Sequence, residues 1–147
     1  MADSRFVLDC SVALAWCFVD EQDPYALEVL TSFGEATAVV PPIWASEVCN
    51  GLLMGERRGR STEANTIKWL SSLGSLPIEV DATDSSDFFA AVAPLARAHG
   101  LTSYDASYLE VAARRSLPFA TLELRLRKVA AALGVGIYQP KTAKRRK

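Results

Sequence analysis

The sequence predicts an α/β fold in which helices cover both faces of a mainly parallel sheet. Five short apolar runs, partly β-branched, occur along the chain and have the length of strands. Longer stretches with helical periodicity separate them. Short apolar strands that alternate with helices are typical of parallel sheets buried on both faces.

The predicted elements follow one another without an internal repeat or a low-complexity linker. The strand candidates are FVLDC, TAVVP, PIEV, PFATL and VGIY, at residues 6–10, 37–41, 77–80, 118–122 and 135–138. Asp23-Pro24 predicts the start of a helix that extends to about Gly34, and Gly134 ends a helix that begins near Glu123. The other helical patterns cover residues 44–58, 62–73, 84–98 and 103–115.

Length and composition indicate one globular domain. The chain has 147 residues, of which 50% are hydrophobic and 22% charged, enough apolar residues to form a core. We predict a single domain over residues 1–140 and a basic tail, KTAKRRK, over residues 141–147. The tail could contact a phosphate backbone, or it could be a solvated terminus. A formal charge of −1 argues against strong long-range attraction to nucleic acid.

The cysteines and the apolar runs indicate a reducing compartment. Cys10, Cys17 and Cys49 are odd in number and form no CxxC pair, so we predict three reduced thiols. No stretch approaches the roughly 20 apolar residues of a membrane span, and the start of the sequence does not resemble a secretory leader. We therefore expect a cytoplasmic protein.

Four acidic residues follow strands or begin helices at places that a parallel sheet brings to one edge. Asp9 closes the first strand, Glu47 lies early in the helix after the second, Asp105 opens the helix of SYDASYLEVA, and Glu123 follows PFATL. Sites in such sheets lie outside the carboxyl ends of the strands. The four carboxylates thus have candidate positions on one rim.

Each acid also has a structural interpretation. Asp105 fits a capping pattern with Thr102, Asp9 could cap the turn that follows it, Glu47 could lie on a half-exposed helix line, and Glu123 could interact with a helix dipole. Taken together, the four favour a site. Two carboxylates about 4 Å apart repel by about 4 kcal/mol at an effective dielectric near 20, so a cluster needs protons or a cation. Oxygen ligands suit Mg²⁺ or Mn²⁺.

The chain resembles a PIN domain, specifically a VapC-type toxin endoribonuclease. The segments that carry the resemblance are VLDCSVALAW, PPIWASEVCNGL and LTSYDASYLEVAARRSLPFATLE, and the likeness spans essentially the whole chain. It implies an α/β/α sandwich that cleaves RNA with Mg²⁺, for which Mn²⁺ can substitute, as the toxin of a type II toxin-antitoxin system. It further implies a homodimer and inhibition by a cognate VapB-type antitoxin.

The resemblance also assigns the site residues. It implies four catalytic carboxylates, at Asp9, Glu47, Asp105 and Glu123, of which Asp9 and Asp105 bind the metal. Ser11 would support them with its hydroxyl. The chain departs from the family pattern where Glu123 replaces the usual Asp. The extra methylene suits contact with the metal through water, and the alternatives are a shifted second-metal position or a role limited to negative potential. In the expected reaction, water acidified by the cation attacks the phosphate in line, without a covalent enzyme intermediate.

RNA contacts and the biological role have open alternatives. Some of Arg57, Arg58, Arg60, Arg114, Arg115, Arg125, Arg127 and Lys128 could hold RNA phosphates, or they could belong to solvated helix faces. The three tryptophans favour core packing over base stacking, and the single His99 favours a role at a helix end. An RNA-processing PIN nuclease without toxicity and a noncatalytic PIN-like interaction module remain alternatives to a toxin.

Overall fold

The computed structural model describes residues 4–141, which form four strands, seven α-helices and two short 3-10 turns. The strands are β1 (Ser4–Leu8), β2 (Ala36–Val40), β3 (Ile78–Val80) and β4 (Phe119–Ala120). The helices are α1 (Cys10–Cys17), α2 (Pro24–Thr31), α3 (Ile43–Arg57), α4 (Glu63–Gly74), α5 (Ser85–His99), α6 (Ser103–Arg115) and α7 (Leu124–Ala132). The 3-10 turns cover Val19–Glu21 and Ser32–Gly34.

The four strands form one parallel sheet in the order β3-β2-β1-β4, flanked by the helices. Leu8 pairs with Ala120, so β1 and β4 end side by side. This arrangement confirms the predicted α/β class and the α/β/α sandwich. It also brings the residues that follow β1, β2 and β4 to the same edge of the sheet.

The prediction of a fifth strand at residues 135–138 is wrong. It makes only an isolated bridge, between Phe119 and Ile137. The neighbouring β4 has two residues, and its outer edge offers only Phe119, whose N–H donates to Gly136 O and whose carbonyl accepts from Tyr138 N–H. One pairing residue is too few to extend a ladder.

Helix α1 was not among the predicted helices, because its sequence has no polar face. Of its eight residues, five are buried and the other three are partly buried, so no face is fully exposed. An amphipathic period is the main sequence signal for a surface helix, so a helix buried on most sides lacks that signal. Its first residue, Cys10, also ends the run that was predicted as the first strand.

The core lies between the sheet and the helices on its two faces. Phe6 of β1 stacks on Tyr138, with ring centroids 4.0 Å apart and planes inclined by 5°. Tyr108 and Leu109 of α6 are fully buried, which confirms the apolar stripe in this helix. Asp105 therefore lies in the first turn of a helix whose inner face packs in the core.

Helices α1 and α3 approach each other closely at two glycines. A Cβ added at Gly51 would lie 2.7 Å from Leu14 Cδ1, and one added at Gly55 would overlap the ring of Phe18. A side chain at either position would require Leu14 of α1, or Phe18 directly after α1, to shift. The two helices therefore approach each other closely at these two glycines.

The structure also bears on the predictions made for the cysteines, for membrane spans and for the domain boundary. The three cysteines form no disulfide, and Cys17 is buried, while Cys10 and Cys49 are partly buried. Within residues 4–141, no helix has the length and apolar character required to cross a bilayer. The division into a domain at 1–140 and a tail at 141–147 stays a prediction, because residues 142–147 lie outside the described part.

Candidate active site

The candidate site begins where β1 and β4 end. Asp9 follows Leu8, Thr121 follows Ala120, and the Asp9 N–H donates to Ala120 O at 3.0 Å. This hydrogen bond continues the strand pairing by one residue. The two side chains that follow the strands therefore start from fixed neighbouring positions.

Asp9 is almost fully buried, with 2% of its surface exposed. Its Oδ2 accepts hydrogen bonds from Ser11 Oγ at 2.6 Å and from Thr121 Oγ1 at 2.8 Å. Burial raises the pKa of this carboxyl above its ordinary value, the two hydroxyls oppose the rise, and the charge of Asp105 adds to it. Asp9 precedes α1 but makes no side-chain capping hydrogen bond, so the interpretation as a simple cap lacks its usual contact.

The hydroxyls of Ser11 and Thr121 connect Asp9 to the chain after β4. Ser11 Oγ accepts from Leu122 N–H at 3.1 Å, and Thr121 Oγ1 accepts from Glu123 N–H at 3.1 Å. Each hydroxyl thus donates to the carboxylate and accepts from the backbone. This arrangement fixes the orientation of Asp9 and places Glu123 beside it.

Glu47 enters the site from the second turn of α3. Its side chain is partly buried, and its Oε1 accepts a hydrogen bond from Tyr108 Oη at 2.5 Å. Burial raises the pKa of Glu47, the Tyr108 hydroxyl lowers it, and the charges of Asp9, Asp105 and Glu123 raise it further. Because the Tyr108 ring is fully buried, the hydroxyl is a rigid donor for this carboxylate.

Asp105 projects from the first turn of α6. Thr102 caps this helix, because its Oγ1 accepts from the Asp105 N–H at 3.1 Å. The capping role therefore belongs to the threonine, and none of the hydrogen bonds found within residues 4–141 ends on the Asp105 carboxylate. Burial raises its pKa, and the positive charge of Arg125 opposes the rise.

Glu123 lies at the exposed mouth of the site. It occupies the position before α7 but makes no side-chain capping hydrogen bond there. Burial and the charges of Asp9 and Asp105 raise its pKa, and Arg125 lowers it. Its longer side chain extends from a backbone that the Thr121 hydroxyl holds.

Electrostatic coupling joins all four carboxylates, which we call the acid cluster (Asp9, Glu47, Asp105 and Glu123). Each pair within the acid cluster interacts by charge, and the pKa of every member is raised. The structure thus brings the four predicted residues together at one edge of the sheet. Their assignment as catalytic or metal-binding groups stays a prediction.

The donor chemistry of the acid cluster fits a hard divalent cation that keeps part of its water shell. Within residues 4–141, no three His, Cys, Asp or Glu side chains lie close enough to enclose a metal ion by themselves. Mg²⁺ commonly binds to one or two carboxylates and keeps several waters, which leaves positions for substrate phosphate. Two inner carboxylates, with the other two contacting waters, therefore match what this ion requires.

Two supporting residues had weak sequence signals. Tyr108 occupies a helical position with Leu109 and Ala112 neighbours, so periodicity assigns it to the core and does not reveal that its hydroxyl binds Glu47. Thr121 follows an apolar strand and carried no predicted role. Its signal is positional, because a hydroxyl directly after a strand lies at the same edge as Asp9.

Most of the basic residues considered for RNA binding have partners within the protein. Arg60 pairs with Asp20 and Glu21 and lies 4.4 Å from the Phe18 ring centroid. An ion-pair network consists of Arg5, Glu79, Asp81, Glu110, Arg114 and Arg115. Arg127 donates to Thr121 O at 2.9 Å. These contacts favour structural roles, while Arg125 lies near enough to influence two site carboxylates.

The three tryptophans were predicted to pack in the core, and His99 was predicted to lie at a helix end. Trp16 is buried and donates to Ala26 O at 2.6 Å, and Trp44 is 8% exposed. Trp69 packs against the core. His99 is the last residue of α5, before Gly100, which has a φ of 63°. The tryptophans therefore lie in or against the core, and His99 lies at the end of a helix, as predicted.

Comparison with known proteins gives the family. Residues 6–132 match the family model described as PIN domain. Similar solved structures include PAE2754 from Pyrobaculum aerophilum, at 23% identity and a TM-score of 0.64, over 89% of this chain and 88% of that chain. They also include VapBC2 from Rickettsia felis bound to a DNA fragment from their promoter, at 12% identity and a TM-score of 0.62, over 91% and 97% of the two chains.

A further solved structure, FitAcB from Neisseria gonorrhoeae, has 16% identity and a TM-score of 0.62, over 93% of this chain and 99% of that chain. None of the curated proteins matches the sequence. At these identities the solved structures establish the shared fold. Because the family model covers most of the 147 residues, the chain belongs to the PIN domain family.

Proposed function

We propose that this protein is a Mg²⁺-dependent endoribonuclease that acts as the toxin of a type II toxin-antitoxin system. PIN domains are generally nucleases, so hydrolysis of a phosphodiester bond is the expected reaction. The observation that carries the proposal is the acid cluster, in which four mutually repelling carboxylates lie at the edge of the sheet and make no ion pair with any residue from 4 to 141. Such a cluster favours an external cation.

The inner ligands of the proposed cation are Asp9 and Asp105. Asp9 is fixed by the hydroxyls of Ser11 and Thr121, which supports a constant position for its oxygens. Asp105 approaches from α6 with its backbone, and not its carboxylate, bound to the helix cap. When bound, Mg²⁺ would acidify a water and stabilise negative charge on the phosphate, and Mn²⁺ would substitute for it.

Glu47 and Glu123 act on the water and on the opening of the site. Glu47 has one oxygen bound to Tyr108, which orients the carboxylate for a hydrogen bond to the attacking water. Glu123 is exposed and one methylene longer than aspartate, so it contacts a water more readily than it enters a crowded inner shell. The reaction needs no covalent enzyme intermediate, since water supplies the nucleophile.

The biological part of the proposal concerns partners and location. The fold similarity to VapBC2 and FitAcB supports a cognate VapB-type antitoxin, and we include a homodimer and a cytoplasmic location in the proposal. Three unpaired thiols fit a reducing compartment. The proposal also assigns contacts with RNA phosphates to the basic tail at 141–147, whose sequence is KTAKRRK.

The experiment that tests this function combines toxicity with cleavage. The protein is expressed alone and together with the product of a small neighbouring reading frame, and the purified protein is incubated with folded RNAs and duplex DNA. We expect growth arrest that the neighbour relieves, together with cleavage of RNA. Cleavage without toxicity would identify an RNA-processing nuclease, cleavage of duplex DNA alone would reject the substrate, and absence of both activities would identify a noncatalytic module.

A further inference from the structure

Arg125 connects the segment that carries Glu123 to the turn that precedes the helix of Asp105. It is the second residue of α7, two positions after Glu123. Its guanidinium donates a hydrogen bond to Gly100 O, in the turn between α5 and α6. The Gly100 N–H in turn donates to Ala96 O in the last turn of α5. The guanidinium is therefore held at a defined place by the backbone of another element.

Arg125 lies near two carboxylates of the acid cluster without forming an ion pair with either. Burial raises the pKa of Asp105 and of Glu123, and the positive charge of Arg125 opposes the rise in both. Yet the ion pairs found within residues 4–141 include neither carboxylate. A guanidinium that was free to turn would be attracted to these acids. Because a neutral carbonyl holds it instead, an interval remains between the guanidinium and the two carboxylates.

The order of charges across this interval suits a phosphate that is bound to a cation. The carboxylates would contact the cation, the cation would contact one phosphate oxygen, and the guanidinium would contact another. Mg²⁺ commonly binds to one or two carboxylates and to substrate phosphate in this way. A phosphate alone would be repelled by the carboxylates, and a cation alone would be repelled by the guanidinium. Bound together, the two ions meet an opposite charge at each contact.

Arg125 also keeps donors for such a phosphate. A guanidinium has several N–H donors in one plane, and a single backbone carbonyl engages only part of them. The residue is exposed, so RNA can reach it. By contrast, Arg114 and Arg115 pair with acids of the protein, and Arg127 lies over an aromatic ring, 4.9 Å from its centroid.

We infer that Arg125 binds an oxygen of the phosphate that is cleaved, so that this phosphate lies between the proposed cation and the guanidinium; the inference rests on the proposed function. A guanidinium stays protonated in proteins, so Arg125 supplies charge and donors and transfers no proton. The contact adds to the binding of RNA and stabilises negative charge on the phosphate. Gly100 O contributes by holding the guanidinium apart from the carboxylates.

Two titrations of the whole protein should respond to Arg125→Ala in opposite directions. Inorganic phosphate is titrated in saturating Mg²⁺, and Mg²⁺ is titrated alone, both followed by NMR shifts of backbone amides. Phosphate should bind about tenfold more weakly, as for loss of a hydrogen bond between charged groups. Mg²⁺ should bind about two- to threefold more tightly, because a nearby positive charge has been removed. Arg125→Lys, which keeps the charge, should retain phosphate binding to within about threefold.

Lys128→Ala is the matched control. Lys128 is an exposed cation of the same helix, and its charge is not among those that act on Asp105 or Glu123. This variant should change both affinities by less than about twofold. An equal loss of phosphate binding in Lys128→Ala and Arg125→Ala would show that only overall charge matters and would overturn the inference. Weaker binding of both Mg²⁺ and phosphate to Arg125→Ala would overturn it too, since Arg125 would then position Asp105 through the turn at Gly100.

Cleavage separates this inference from the proposed function. Phosphate should inhibit RNA cleavage competitively at the concentration at which it binds, and Arg125→Ala should lower kcat/KM at least about tenfold. If the wild type cleaves RNA but binds no phosphate in Mg²⁺, or if Arg125→Ala cleaves like the wild type, the inference is overturned and the nuclease proposal stands. If no RNA is cleaved, the nuclease proposal fails, while the titrations still decide whether Arg125 belongs to a phosphate site at the acid cluster.

Discussion

Two acidic regions of this protein differ in what balances their charge. In the ion-pair network, burial raises the pKa of Asp81, but Arg114, Thr83 and Arg115 outweigh burial and hold the pKa below its ordinary value of 3.8. In the acid cluster, burial is again the first cause, and the hydrogen bonds that Asp9 accepts come from neutral donors and not from an arginine, so its pKa is raised. Asp81 and Asp9 are both buried, at 8% and 2% exposure.

The difference teaches that burial alone does not identify a functional acid. A carboxylate with its own arginine contributes to the fold, because the cation is part of the chain. A carboxylate grouped with other carboxylates reduces the free energy of unfolding until a cation arrives from solution. The acid cluster is therefore a site that folding leaves electrostatically incomplete, whereas the ion-pair network is complete.

Removal of divalent cations should have the largest effect on RNA cleavage, and it should act on the acid cluster and not on the ion-pair network. We expect a chelator to abolish RNA cleavage and Mg²⁺ or Mn²⁺ to restore it. Saturating Mg²⁺, at about ten times its Kd, should also raise the free energy of unfolding by about 1.4 kcal/mol. Single-turnover cleavage and urea unfolding, each across a Mg²⁺ titration, measure the two effects. Cleavage that survives exhaustive chelation would contradict the metal site.

Replacement of one aspartate in each region should separate catalysis from stability. Asp105→Asn should reduce cleavage at least about 1000-fold, because the cation contributes several kcal/mol of charge stabilisation, and it should leave the protein folded. Asp81→Asn, the matched control, should retain cleavage within about threefold and lower the free energy of unfolding by about 1 kcal/mol, since its arginine partners are partly exposed.

The same pair of variants should differ in metal binding. Isothermal titration with Mg²⁺ or Mn²⁺ should show weaker binding to Asp105→Asn and unchanged binding to Asp81→Asn. Retained cleavage in Asp105→Asn would reject its role as a ligand and would leave it a residue of the first helical turn. Equal loss of cleavage in both variants would mean that the two regions act as one.

Glu123 should have an intermediate effect, because it lies at the exposed edge of the acid cluster. We expect Glu123→Ala to reduce cleavage about 10 to 100-fold, as for a residue that acts through water, and Glu123→Asp to keep substantial activity. Single-turnover cleavage across a metal titration distinguishes the possibilities. A loss as large as that of Asp105→Asn would make Glu123 a direct ligand, and an Ala variant equal to the wild type would remove it from the site.

The smallest expected effect is an opposite response to pH in the metal-free protein. The acid cluster has raised pKa values, so its ionised carboxylates lower the free energy of unfolding at neutral pH, and this cost disappears as the pH falls through the raised values. Asp81 and Glu79 have lowered pKa values, so their stabilising contribution persists above the ordinary values of 3.8 and 4.5 and is lost as the pH falls through the lowered values.

Urea unfolding in a chelator, measured from about pH 7 to about pH 3, should therefore pass through a maximum. Stability should rise as the pH falls through the raised pKa values of the acid cluster, and it should fall once the pH is below the ordinary values of 4.5 and 3.8. Asp105→Asn should flatten the first part of the curve and be about 1 kcal/mol more stable than the wild type at pH 7. Asp81→Asn should reduce the loss of stability at the acidic end of the curve. A curve that falls steadily from pH 7 would contradict the assigned directions.

The sequence predicted the sheet edge and the four carboxylates, but not the contacts that hold them. Strand runs and the rule for parallel sheets were sufficient to group Asp9, Glu47, Asp105 and Glu123, since their positions depend on the backbone. The Tyr108 hydroxyl could not be predicted, because a fully buried ring gives the same apolar signal whether or not its oxygen has a partner. Helix α1 was missed for a related reason, since uniform burial removes periodicity.

The pairing of the arginines was also beyond local sequence. Arg114 pairs with Glu110 one helical turn before it, which spacing can suggest, but Asp81 is 33 residues away along the chain. Only the three-dimensional fold shows that Arg114 and Arg115 are engaged by acids of another element. Arg125 also has a partner, since it donates to Gly100 O, but its charge acts on two carboxylates of the acid cluster, so its position makes it a candidate RNA contact.

The close approach of α1 and α3 at Gly51 and Gly55 has a consequence for the choice of metal. Asp9 immediately precedes α1 and Glu47 lies on α3, so the distance between these helices also sets how far apart the two carboxylates start. Mg²⁺ prefers ligand distances of about 2.0 to 2.1 Å and Ca²⁺ about 2.3 to 2.6 Å. A wider helix pair would favour the larger ion. In the proposed metal site, ion selectivity would thus depend partly on two glycines that we do not expect to contact the ion.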